Sequence, residues 1–265
     1  MPIHVNRNSF VCTAALVVAL SGLPAPVRAQ WLKVPTKGIP RLPDGAPNLS
    51  APAPKTTDGK PDLSGIWQPT SRYIANIASD LKADDVPLRP WAATLYRQRQ
   101  ATLSKDDPTG YCVPGGVPRS DAVPYPFKIL NTAGMVVILY EAVHSYRQIF
   151  MDGRKLGADP NPSWLGYSTG KWDGDTLVVD TSGFNDKTWL DTFKGRPASE
   201  ELHVQERFRR ISFGDMEVRA MIDDPKAFTK PWTTTTQKMH LLLDTEILEF
   251  SCNENEKDLK HRVIK

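Results

Sequence analysis

From residue 127 onward the chain is written in short stretches of strand-forming residues, most of them separated by turns too brief to hold a helix. This spacing constrains the fold more than any other feature. The stretches are "FKIL", "MVVILYE", "YRQIFM", "LGYSTGKW", "TLVVDT", "LHVQERFRRI", "MEVRAMI", "QKMHLLL" and "TEILEFSC". They are rich in β-branched and aromatic residues, which suit a pleated, half-buried surface. "DGR" at 152–154, "DGD" at 173–175 and "FGD" at 213–215 supply turn chemistry between them. Neighbouring parallel strands need a connection of about a dozen residues. The spacing therefore predicts an antiparallel meander of about nine strands. Closing that meander into a barrel removes its exposed edges. The expected fold is all-β: an antiparallel barrel of about 8–10 strands.

Other segments interrupt this rhythm. Residues 30–60 carry Pro35, Pro40, Pro43, Pro47, Pro52 and Pro54 with no apolar period, and read as an extended arm or tether. "PLRPWAATLYRQRQATL" has helical spacing at Trp91, Ala92, Leu95, Tyr96 and Leu103, and Pro90 suits a first helical position. "DDPTGYCVPGGVPRSDAVPYP" is dense in Gly and Pro and reads as a long loop held by its side chains. The barrel domain is thus expected over 61–265, with a helix-and-loop insert at about 85–126.

The start of the chain bears on compartment. A polar opening with one Arg is followed by thirteen apolar-rich residues, Val11 to Leu23, and then by "PAPVRAQ", with small residues at Val27 and Ala29. This is the pattern of a secretory leader, residues 1–29, cleaved after Ala29. The apolar run falls short of the roughly 20 residues a bilayer span requires. Cys12 sits at the start of that run, not after it, which argues against a lipoprotein. The expected protein is secreted or periplasmic, with no membrane span. Cys112 and Cys252 are then the two remaining cysteines, either bonded or left as buried thiols, and an oxidising compartment favours the bond. A net charge of +3 is too weak a bias for nucleic-acid binding, and "RFRR" at 207–210 and "KDLKHRVIK" at the end read as solvated charge.

Near the start of the barrel region stands "LSGIW". It resembles the Gly-x-Trp signature in the first strand of lipocalins and fatty-acid-binding proteins. That resemblance implies that Trp67 plugs one end of the barrel, with Gly65 giving close approach beside it. The segments "PDLSGIW", "ILYE", "MDGR", "GYSTGKWDGDTLVVDTSGFND" and "LHVQERFRR" together are similar to a group of uncharacterised secreted bacterial proteins, over most of residues 60–255. The lipocalin comparison implies a ligand cavity, and some barrels of that kind are hydratases, cyclases or decarboxylases. The Pro-rich insert and the chain length depart from a typical lipocalin.

Side chains two apart on a strand share a face. In "LHVQERFRRI", Glu206 shares its face with Leu202, Val204 and Phe208. In "TEILEFSC", Glu246 joins Leu248, Phe250 and Cys252. In "MVVILYE", Glu141 joins Val137 and Leu139, and in "YRQIFM", Arg147 joins Ile149. A carboxylate on an apolar face must be paired, protonated or near cavity water. Glu141, Arg147, Glu206 and Glu246 form the expected cavity set, as an acid and a base working across a dry interior or as a purely structural ion network. His144, in the turn "EAVHSY", is either a surface residue or a proton shuttle at the mouth. His144, His203, His240 and His261 lack metal-ligand spacing, so neither a metal nor a cofactor is expected. Asp173 and Asp175 fit a tight turn better than a cation site. Trp164, Tyr167, Trp172, Trp189 and Trp232 are either core or the lining of a mouth for an aromatic or sugar ligand. No GxSxG elbow, phosphate loop or Cys-x-x-Cys is present.

Three functions follow as expectations. One is a cofactor-free lyase, hydratase or isomerase acting on a small hydrophobic, phenolic or sugar-derived molecule. The second is a non-catalytic carrier, and the third a cell-envelope interaction module that makes contact through its Pro-rich arm.

Overall fold

The computed structural model describes residues 35–70, 76–157, 160–192 and 194–252. The expected leader, with Cys12, Val27 and Ala29, and the basic tail with His261 lie outside the described residues. Among those described are ten strands: β1 (Gly65–Pro69), β2 (Phe127–Thr132), β3 (Met135–Tyr140), β4 (Tyr146–Phe150), β5 (Tyr167–Asp173), β6 (Thr176–Ser182), β7 (His203–Arg210), β8 (Asp215–Asp223), β9 (Trp232–Thr233) and β10 (Gln237–Leu242). One α-helix, α1 (Pro90–Ala101), begins with Pro at its first position, where the missing N–H is no loss. No helix among the described residues is long and apolar enough to cross a membrane.

Strands β1 to β8 run side by side in chain order, and β10 pairs with both β1 and β8, closing a lipocalin-like barrel of nine strands. The short β9 pairs with the far half of β8, at Met221 and Ile222. Every neighbouring pair is antiparallel except β4 and β5, which are parallel. The reason is geometric. A ring with an odd number of strands cannot alternate direction all the way round, so at least one pair must be parallel. The 151–166 segment joining β4 to β5 is longer than the dozen or so residues such a connection needs. The expectation of a wholly antiparallel meander is corrected at this one position. The pairing there is also short: only Ile149 with Ser168 and Phe150 with Thr169 are in register.

Alternation along the strands fills the interior. One apolar cluster gathers Trp67, Phe127, Ile138, Phe208, Met216 and Met239. A second gathers Phe184, Val204, Ile222, Phe228 and Trp232. Trp67 is fully buried and donates through Nε1 to the Leu63 carbonyl at 2.9 Å. The Arg210 guanidinium lies 4.9 Å from its ring and donates to the Asp62 carbonyl. Gly65 has φ of +140°, and a Cβ there would stand 2.5 Å from the Leu241 side chain, so this strand start tolerates no side chain.

Two further expectations change. Residues 35–60 are not a free tether. Phe213 and Gly214 donate from their backbone to Ala51 and Leu49, and Ile39 and Ala51 pack against the first apolar cluster. "TEILEFSC" is not a strand: β10 ends at Leu242, and Asp244 takes a left-handed φ of +54°, which breaks the extended run. Cys112 and Cys252 are joined in a disulfide with their Cα atoms 5.7 Å apart.

Candidate functional site

Between the two apolar clusters lies a layer of buried polar side chains. Arg147 from β4 and Glu206 from β7 are 2% and 0% exposed, and Nη2 of Arg147 donates to Oε2 of Glu206. The same nitrogen reaches Thr181 Oγ1 at 2.7 Å, and Nε donates to Ser168 Oγ at 2.9 Å. Nη1 faces Asp121 Oδ2 at 3.4 Å, while Tyr140 donates its hydroxyl to Asp121 Oδ1 at 2.7 Å. Glu206 falls inward because Val204 and Phe208, two residues to either side, are core residues. Asp121 comes from the loop before β2, whose stretch from Gly115 to Ala122 is buried. A charge in such a place persists only when paired.

One guanidinium here faces two carboxyl groups. Burial pushes the Glu206 carboxyl up to about 8, the neighbouring Asp121 adds to the rise, and Arg147 offsets part of it. Burial works against the Arg147 charge, but Glu206, Tyr140 and Asp121 together hold the group above its ordinary value, so it stays charged. Burial and Asp121 likewise raise the Tyr140 hydroxyl well above the usual tyrosine range. Arg147 therefore stays a cation, and burial draws the Glu206 carboxyl toward its protonated form near neutral pH. Oε1 of Glu206 is buried and has no hydrogen-bond partner among the described residues.

This layer reaches the outside at the parallel pair. Beside the two registered positions of β4 and β5 lies a depression of about 280 Å³. Arg147 and Ser168 line it from within, and Trp164, Tyr167, Tyr146 and Gly166 from the rim. Tyr146 and Tyr167 are 63% and 42% exposed. Gly166 has φ of +65°, and a Cβ there would lie 2.8 Å from the Ser182 carbonyl, so the chain enters β5 tightly and leaves the slot open.

The remaining sequence-derived residues lie elsewhere. Glu141 follows the last residue of β3, whose inward face is Val136, Ile138 and Tyr140, so the face it shares with Val137 and Leu139 is the outer one. Its carboxylate accepts from Leu248 N at 2.9 Å. His144 is exposed, and its Nε2 accepts from Phe250 N at 2.7 Å. Glu246 forms an ion pair with Lys128 on the outside of β2, with its side chain 39% exposed. None of the three joins the buried layer around Arg147, although Glu246 and Lys128 line a separate depression with Asp62 and Arg210. Glu141, His144 and Glu246 instead clasp the segment after β10 to the barrel exterior, next to the disulfide that ends it. Trp172 packs against the first apolar cluster and Trp232 lies within the second, both away from the seam. Asp173 and Asp175 flank Gly174 in the β5–β6 turn, where Asp173 pairs with Arg207 at 2.7 Å. No metal-binding cluster of His, Cys, Asp and Glu occurs among the described residues.

Asp121, Tyr140, Ser168 and Thr181 are the members of the layer that sequence reasoning missed. Tyr140 could have been found as the residue in phase with Val136 and Ile138. Asp121 lies in a loop without period, and no local signal marks it.

The fold and its site define a closed all-β barrel with a buried ion layer opening at one seam. Comparison with family models, curated proteins and solved structures gives no match.

Proposed function

We propose that this protein is an exported small-molecule-binding barrel that holds a ring-shaped ligand, phenolic or sugar-derived, at the β4–β5 seam. The observation that carries this reading is one depression lined by Trp164 and Tyr167 together with Ser168 and Arg147. Aromatic faces beside a few fixed polar groups are the usual make-up of a small-molecule site. The leader pattern and the Cys112–Cys252 bond support export. Binding is favoured over acid–base catalysis because Glu206 lies behind Arg147 and does not line the depression, while Glu141, Glu246 and His144 are occupied on the exterior. The partner is a small molecule, with no nucleic acid and no cofactor invoked.

Tryptophan emission titrated with phenol, 4-hydroxybenzoate, glucose and N-acetylglucosamine tests this. At least one probe should give a saturable change, and Tyr167→Ala should weaken it about ten-fold, the equivalent of about 1.4 kcal/mol. No saturable change with any probe, or equal binding by Tyr167→Ala, rejects the seam as the site.

A further inference from the structure

Beside the seam lies a second and larger depression of about 770 Å³, between α1 and the loops that follow β4 and β6. Trp164 lines both depressions. Val113 lines the larger and its chain neighbour Pro114 the smaller, so a single ridge separates them. The rim of the larger one carries Tyr111, 47% exposed, and its floor holds Trp189 under the Arg99 guanidinium at 4.0 Å.

The polar lining of this depression is mixed. Gln98 from α1 offers both a donor and an acceptor, Lys105 and Lys187 are donors, and Asp106 and Asp186 are acceptors. The two lysines and two aspartates are exposed and form no ion pair within 4.0 Å among the described residues. A purely apolar ligand would make no use of these groups, and a strongly anionic one would meet both aspartates. A chain of rings bearing hydroxyl groups satisfies both requirements. Its apolar ring faces stack on aromatic side chains, and its hydroxyls donate to carboxylates and accept from ammonium and amide groups.

We infer that the two depressions form one extended groove for a short oligosaccharide laid across Trp164, with one ring at the seam and further rings beneath α1. This inference rests on the seam being a ligand site and adds that the ligand is a chain longer than the seam can hold. The size of the larger depression fits it, since small-molecule sites generally span about 300–1,000 Å³.

The test is a length series: glucose to cellohexaose, with glucose to maltohexaose as a second linkage, followed by calorimetry and tryptophan emission. The dissociation constant should tighten at least about ten-fold from one ring to three or four, and then level off. Tyr111→Ala should weaken binding of the hexasaccharide about ten-fold and leave the one-ring ligand unchanged, with near-ultraviolet circular dichroism showing that the variant is folded. Binding that does not depend on length, or a hexasaccharide indifferent to Tyr111→Ala, overturns the extended groove. So does the absence of binding by either hexasaccharide. If phenol or glucose still titrates and is lost with Tyr167→Ala, the seam survives and only the groove fails.

Discussion

Replacing Glu206 by Gln isolates the proton in the buried layer. The Glu206 carboxyl stands at about 8 in the folded protein because burial and Asp121 outweigh Arg147. In the unfolded chain it returns to the ordinary value of about 4.3. Between those two values the folded state holds a proton that the unfolded state has lost. The contribution to stability is therefore complete below the unfolded value, falls as pH rises, and is exhausted above about 8. The slope is about 1.4 kcal/mol per pH unit, so about 4 kcal/mol separates pH 5 from pH 8. Glu206→Gln keeps the shape and carries no titrating proton. Relative to the native protein it should therefore gain about 4 kcal/mol in stability between pH 5 and pH 8. The assay is urea denaturation of both proteins, disulfide intact, at unit steps from pH 5 to 9. Their difference cancels every titration they share. Stability curves that stay parallel within about 1 kcal/mol across that range would refute the account, because Glu206 would then titrate alike in both states.

Glu246→Gln should behave differently: an exposed pair with Lys128 is worth at most about 1 kcal/mol, so its urea midpoint should move little and show no comparable pH trend. Gly65→Ala forces a side chain into a left-handed residue against Leu241, and should cost about 1–3 kcal/mol in the same assay, more if Leu241 cannot shift.

What could be read from the sequence depended on whether a segment's two faces differed. In β7, Val204, Glu206 and Phe208 alternate with His203, Gln205 and Arg207, so the buried side was plain from the residues alone. In β4, Arg147 and Ile149 alternate with Tyr146 and Gln148, and both fall inward. In β3 both faces are apolar, so parity tied Glu141 to Val137 and Leu139 but could not say which side was the core. After β10 the sequence keeps a strand-like pattern, but the extended ladder has already ended at Asp244. There the backbone is held by side chains, among them Glu141 and His144, from a turn a hundred residues away in sequence. Trp232 and Trp164 look alike in sequence, and only packing separates a core residue from a rim residue.

The sequence by itself determined most of the strands, their alternation, the helix that opens at Pro90 and the cysteines available to bond, because each is set by side chains within a few residues of one another. Tertiary structure decided the number of strands in the ring. That number is odd, so at least one parallel pair is unavoidable, and it falls between β4 and β5, whose 151–166 link is long enough to allow it. Only two residue pairs are in register there, and the buried Arg147 lines the depression beside them. No local pattern encodes this, because closure is a property of the whole ring of strands.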